Sequence, residues 1–258
     1  MRVHIYPNRD ELGRAAAEQV AACLRRLIQD RGRAVAVFAS APSQTETLRE
    51  LAVQPGIDWS RVTAFHLDEY VGLAEDHPQS FRRFLREHLA SRVPLAAFHG
   101  LRGEASDPAA ECGRYASLLS ADPPDIALVG IGENGHLAFN DPPAADFHDP
   151  LDVKLVELDE ICRRQQVHDG LFARTEDVPR LALTLTLPAI LRIPRIFAVV
   201  PGVRKRQAVT AALLGPVSTG CPASILRTHP DVDLFLDRDS APPGWPDQPP
   251  QAQDRLSA

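Results

Sequence analysis

Ala34-Val35-Ala36-Val37-Phe38-Ala39 is an uninterrupted apolar run (AVAVFA). A strand needs apolar residues on both faces only when both faces are covered, the situation of a parallel sheet packed between helices. The same texture returns at Val3 to Tyr6, Val62 to Phe65, Ile126 to Val129, Ile196 to Val200 and Val232 to Leu236. Between these runs lie helix-length stretches. Asn8 followed by Glu11 has the form of a capping box, and Leu12, Ala16, Val20, Cys23, Leu24 and Leu27 then recur at helical steps of three and four. Ser80 to Leu89 and Lys205 to Leu214 are further helical candidates. Strands alternating with helices predict an α/β fold, a mainly parallel sheet with helices on both faces. The alternation continues without a linker or repeat to about Asp239, so residues 1–239 are expected to form one domain. From Ser240 the sequence changes to APPGWPDQPPQAQDRLSA, and residues 240–258 are expected to be a loose proline-rich tail.

Composition narrows the function classes. The 258 residues carry 28 Lys+Arg against 34 Asp+Glu, a net charge of −6, and no basic run, which argues against nucleic-acid binding. No apolar stretch approaches the ~20 residues of a membrane helix. The opening MRVHIYPN lacks the pattern of a signal peptide, so a cytoplasmic protein is expected. Cys23, Cys112, Cys162 and Cys221 are scattered without a CxxC pair and read as buried free thiols. Prolines outnumber glycines, 23 to 15, and their placement matters below.

Ligands of open parallel sheets bind beyond the carboxyl ends of the strands, so polar residues directly after apolar runs are the first candidates. Three segments qualify: Ser40 to Gln44 (SAPSQ), His66 to Tyr70 (HLDEY) and Gly130 to His136 (GIGENGH). The third contains G-x-G-x-x-G, with Glu157 near the acidic position of a dinucleotide site. A helix should open at its last glycine, whereas Asn140, Asp141, Pro142 and Pro143 follow, so a loop is the better reading and no cofactor is expected. That loop supplies His136 and Asp141, with Asn134 adjacent. An imidazole can give and take protons near neutrality, and a nearby carboxylate fixes its tautomer. His66 and Asp68, two apart, share a face if the strand continues through them, which leaves an H-x-D metal pair as an alternative to Asp68 as a general base. No HExxH supports a metal, and no G-x-S-x-G supports a serine hydrolase.

FHLDEYVGL (Phe65 to Leu73), HPQSF (His77 to Phe81) and GIGENGHLAFNDP (Gly130 to Pro142) resemble the glucosamine-6-phosphate deaminase/isomerase family. ALTLTL (Ala182 to Leu187), VPGVRKRQAV (Val200 to Val209) and PASILRTHPDVDLFLD (Pro222 to Asp237) extend the resemblance over nearly all but the tail. The related 6-phosphogluconolactonases continue the G-H loop differently, with a T-A-S-L-F-P-like stretch in place of LAFNDP. The resemblance implies a Rossmann-like sheet and an aldose-to-ketose isomerisation that releases ammonia from an amino-sugar phosphate. It also implies roles: Asp68 as the base at C2, His136 as the ring-opening acid, Asp141 as the carboxylate that orients it. With Asn134 these form the candidate catalytic set. Ser40, Ser43, Lys205, Glu69 and Gly135 form the candidate substrate and phosphate set, without a metal.

Departures from the family pattern accompany the resemblance. Asn134 stands where some relatives carry an acid, and Asp141 is a methylene shorter than the usual glutamate. Pro42 removes an N–H from the loop that in relatives is T-G-G-T-like. The family's phosphate arginine has no clear match in CRRQQVHDGLF (Cys162 to Phe172), where Arg163, Arg164 and His168 are the candidates. The alternatives are a galactosamine-6-phosphate deaminase, a lactonase, or a non-catalytic sugar-phosphate-binding protein. The partner expected is a small sugar phosphate, with self-association into a homo-oligomer compatible with the family's range.

Overall fold

In the computed structural model, which describes residues 1–245, all six apolar runs are strands of one seven-stranded parallel sheet. In chain order the first half contains β1 (Arg2–Tyr6), α1 (Arg9–Arg31), β2 (Ala34–Phe38), α2 (Thr45–Ala52), β3 (Val62–His66), β4 (Asp68–Tyr70), α3 (Phe81–Leu85), β5 (Ala97–His99) and α4 (Pro108–Ala121). The second half contains β6 (Ile126–Val129), β7 (Val153–Glu157), α5 (Glu160–His168), β8 (Leu181–Leu185), α6 (Leu187–Leu191), β9 (Arg195–Val200), α7 (Arg206–Leu214) and β10 (Val232–Asp237). The large sheet runs β1-β10-β9-β6-β2-β3-β5, and a small antiparallel sheet runs β4-β8-β7.

The buried run that predicts the sheet sits near its middle. Ala34, Ala36 and Phe38 of β2 face one side, where Leu12, Ala16, Val20 and Leu24 of α1 cover them. Val35 and Val37 face the other side, against Tyr115 and Leu119 of α4 and Leu183 and Leu185 of β8. Each large apolar side chain so covered contributes about 1.5–3 kcal/mol, which is why the run tolerates no polar residue. Asn8 caps α1, accepting from Glu11 N at 2.9 Å, while the Glu11 carboxylate returns to the Asn8 amide at 3.3 Å. Gly32 ends the helix at φ 74°, in the left-handed region open to glycine.

The small sheet is the main feature absent from the sequence reading. At Leu67 the chain leaves the large sheet, and β4 turns to pair antiparallel with β8, Asp68 opposite Thr184. Strand order reverses in the large sheet at β2 and β6: β2, β3 and β5 step outward to one side, β6, β9, β10 and β1 to the other. The crevice at this switch lies beyond the carboxyl ends of both strands.

The helix expected over Ser80 to Leu89 is α3 followed by a wider π turn over Arg86–Ala90. The expected boundary at Asp239 moves outward. Ser240 and Ala241 are buried, Ser240 N bonds Asp237 Oδ1 at 2.8 Å, and Trp245 packs against the core. The rest of the proline-rich segment, residues 246–258, lies outside the described residues. Cys112, Cys162 and Cys221 are buried and Cys23 half-buried, all with free thiols. No helix among the described residues is long and apolar enough to cross a membrane.

Candidate active site

A cleft opens at the switch point, and residues from several stretches line it. Ser40 and Ser43 come from the end of β2, Asp68 from the start of β4, Gly130, Gly132 and His136 from the loop after β6, and Lys205 from the turn before α7. The loop from Gly130 to Asp152 contains no helix, as its prolines require, which removes the dinucleotide alternative.

Asp68 is 7% exposed. Burial, with the charges of Glu69 and Asp141 adding to it, raises its carboxyl well above the usual range. A base with raised pKa holds a proton more tightly once it has taken one, which suits abstraction from carbon. His136 Nδ1 stands 2.8 Å from Asp141 Oδ1, at an angle too oblique for an aligned N–H···O bond. Burial alone would raise the Asp141 carboxyl, but the electrostatic pull of His136, with hydrogen bonds from Asn134 and the Asp159 backbone, holds it low. The Asn134 amide donates to both Asp141 Oδ1 and Asp159 Oδ2 at 2.9 Å, and Asn134 Oδ1 accepts from His136 N at 3.1 Å. Asn134 therefore steadies the pair from behind and does not line the cleft. A Cβ on Gly132 would meet the His136 ring at 2.2 Å, so only glycine lets the imidazole lie against this turn. Ala138, also lining the cleft, has φ 51°, a conformation that costs about 1 kcal/mol or more for a residue with a side chain.

The cleft also carries groups suited to an anion. The turn Pro42–Gln44 leads into α2 and the turn Val203–Lys205 into α7, so two helix N-termini point toward it. Lys205 is 7% exposed, and burial lowers its ammonium pKa. Ser40 Oγ is buried without a hydrogen-bond partner, while Ser43 Oγ accepts from Gln44 Nε2 at 3.1 Å. Pro42 occupies the first position of its turn, where the missing N–H is not needed, and it does not itself line the cleft.

Four sequence expectations are corrected. Glu69 points away from the cleft: its carboxylate accepts from Tyr70 N, Ser80 Oγ, Phe81 N and Arg82 N at 2.8–3.0 Å, capping α3. Gly135 contacts no cleft, and its φ of 86° and close packing on Cys221 explain the glycine. The His66–Asp68 pair does not form, because the strand ends at His66. His66 Nε2 accepts from Leu101 N at 2.7 Å, and burial drives its imidazole down to about 3, so it stays neutral. None of the cations of α5 reaches the cleft: Arg163 donates to Thr175 O and Val178 O, Arg164 pairs with Glu160, and His168 is exposed beside Glu133.

What α5 brings instead is Gln165 and Gln166, with Asp169 just beyond its end. Gln166 Oε1 accepts from Tyr70 OH at 2.7 Å, and Gln165 Nε2 donates to Asp169 at 3.2 Å. The signal was present: Cys162, Gln165, Gln166 and Asp169 fall at i, i+3, i+4 and i+7, one helical face. Because this face is polar, apolar periodicity does not mark it as inward.

A family model described as glucosamine-6-phosphate isomerases/6-phosphogluconolactonase matches residues 7–234. A glucosamine-6-phosphate deaminase of Listeria innocua is 39% identical over 199 residues, 77% of this chain and 83% of that protein. One from an Exiguobacterium species is 41% identical over 186 residues, 71% of this chain and 70% of its own. Among solved structures, a monomeric glucosamine-6-phosphate deaminase superposes with a TM-score of 0.85 at 30% identity, covering 93% of this chain and 98% of that one. A 6-phosphogluconolactonase from Trypanosoma brucei shares the fold at a TM-score of 0.75 and 16% identity, covering 93% of this chain and 97% of its own.

Proposed function

The chain belongs to the glucosamine-6-phosphate isomerase/6-phosphogluconolactonase family, and from that premise we propose that it deaminates glucosamine 6-phosphate to fructose 6-phosphate and ammonia. The observation that carries this reading is the meeting of Asp68, the His136–Asp141 pair and Lys205 around one cleft. A binding protein needs no buried base, and a buried unpaired carboxylate costs stability.

His136 delivers a proton to the ring oxygen and opens the pyranose, and Asp141 keeps the imidazole oriented and compensates its charge. The free C1 aldehyde acidifies the C2 hydrogen. Asp68 removes it, leaving an enolamine, and returns the proton to C1. The C2 imine that results takes up water and expels ammonia, so substrate plus one water balances ketose phosphate plus ammonia. Asp68 is the same group before and after, and no electrons are exchanged with a cofactor. Lys205, the Ser40 and Ser43 hydroxyls and the two helix termini hold the phosphate.

Incubation of the purified chain with glucosamine 6-phosphate, with ammonia read by a coupled assay, should give turnover. The galacto epimer and a 6-phosphogluconolactone serve as parallel substrates. Folded protein that releases no ammonia but hydrolyses the lactone would replace the deaminase reading with a lactonase one.

A further inference from the structure

Behind the imidazole lies a second cluster that the proton chemistry does not require. A His136 ring nitrogen, an Asp141 oxygen and Cys162 Sγ, from the loop after β6 and from α5, stand within 4.8 Å of one another, and all three residues are buried. Ligand atoms around a tetrahedral zinc are about 3.3–3.8 Å apart, given metal–ligand bonds of ~2.0–2.3 Å. The trio brackets that spacing, with its closest measured pair at 2.8 Å. Two independent features mark the position as one suited to a cation. His136 Nδ1 is buried yet lacks an aligned hydrogen bond. Beside it, the Asp141 and Asp159 carboxylates are bridged by a single neutral Asn134 amide, 2.9 Å from each.

We propose that Cys162, Asp141 and His136 form an inhibitory site for a thiophilic divalent cation of the zinc type, closed by water. One thiolate, one imidazole and one carboxylate are the mixed donor set that zinc accepts, while magnesium and calcium prefer oxygen alone. Binding converts the Cys162 thiol to thiolate and takes Nδ1 as a ligand, so the protons on both leave to solvent and no redox change occurs. A metal on Nδ1 breaks the His136–Asp141 pairing and stops the imidazole from cycling through its doubly protonated form. The cation is thus a reversible brake on the general acid.

The test uses the full chain, stripped with chelator and freed of it, titrated with zinc chloride in a calorimeter without substrate. One zinc per chain is expected, with affinity falling about 100-fold in Cys162→Ser, at or beyond the ~10–100-fold that loss of an outer-shell partner costs. Cobalt(II) added to the wild type should give a near-ultraviolet thiolate-to-cobalt band that Cys162→Ser lacks. Cys162→Ala replaces the serine variant if circular dichroism shows the latter unfolded. Zinc should also suppress wild-type turnover, restored by EDTA, and leave the variant at its own zinc-free rate. Absence of stoichiometric binding, equal zinc affinity in wild type and variant, or a cobalt band that survives the substitution overturns the proposal. The binding readouts need no substrate, so they stand or fall separately from the deaminase reading.

Discussion

Replacing Glu69 with glutamine keeps the size of the side chain and removes its charge. The Glu69 carboxylate accepts from Tyr70 N at 3.0 Å, Ser80 Oγ at 2.8 Å, Phe81 N at 3.0 Å and Arg82 N at 2.9 Å, with the Arg82 guanidinium 3.8 Å away. Glutamine keeps one acceptor oxygen and turns an NH2 toward the remaining donors. Two buried donors are then left unpaired at about 1–3 kcal/mol each, and the buried Arg82 loses part of its counter-charge. A loss on the order of 3–5 kcal/mol follows, or roughly 6–20 °C in Tm for a chain of this size. Urea unfolding and thermal melts at neutral pH measure it, beside KM for the amino-sugar phosphate. An unchanged Tm with a raised KM would refute the cap and return Glu69 to the substrate set.

Asp68→Asn should lower kcat by ~10²–10⁴. Because the folded protein raises the Asp68 pKa, the ionised form destabilises it at neutral pH, so Tm should hold or rise; a fall would count against a buried base. Lys205→Met should raise KM for the 6-phosphate by tenfold or more with a smaller effect on kcat, and equal KM values would remove Lys205 from the anion site. Acid should weaken the fold below about pH 6.5, since the unfolded chain takes up a proton that native His66, held down to about 3, refuses. The urea midpoint should therefore fall from pH 7 to pH 5, and His66→Gln should flatten that slope; parallel slopes would assign the effect elsewhere.

The legible parts of the fold were those where burial acts on a run of residues. AVAVFA, IALV and IFAVV are covered on both faces and cannot be anything but apolar. β4 is three residues long and begins with Asp-Glu, so no periodicity announces it. Its presence breaks the face relation between His66 and Asp68, which holds only if one strand continues. Asp68 and Glu69 illustrate the limit further. Alternation separates them correctly onto opposite faces, but only the position of α3 reveals that the second face is a helix N-terminus. In α5 the arginines are the natural candidates because anions need cations, whereas the face turned inward is Cys162, Gln165 and Gln166.

The break at Leu67 also divides labour between two supports. Asp68 is mounted on the small sheet, and the loop carrying Asp141 is pinned to the same sheet by Phe139 N on Thr184 Oγ1 at 3.0 Å and the Asn140 amide on Leu185 O at 2.8 Å. Ser40, Ser43 and Lys205 ride on the ends of β2 and β9 in the large one. The proton-moving carboxylates are thus mounted on the small sheet and the groups that grip the anion on the large one. A change among Ser40, Ser43 and Lys205 therefore leaves the mounting of Asp68 and Asp141 untouched.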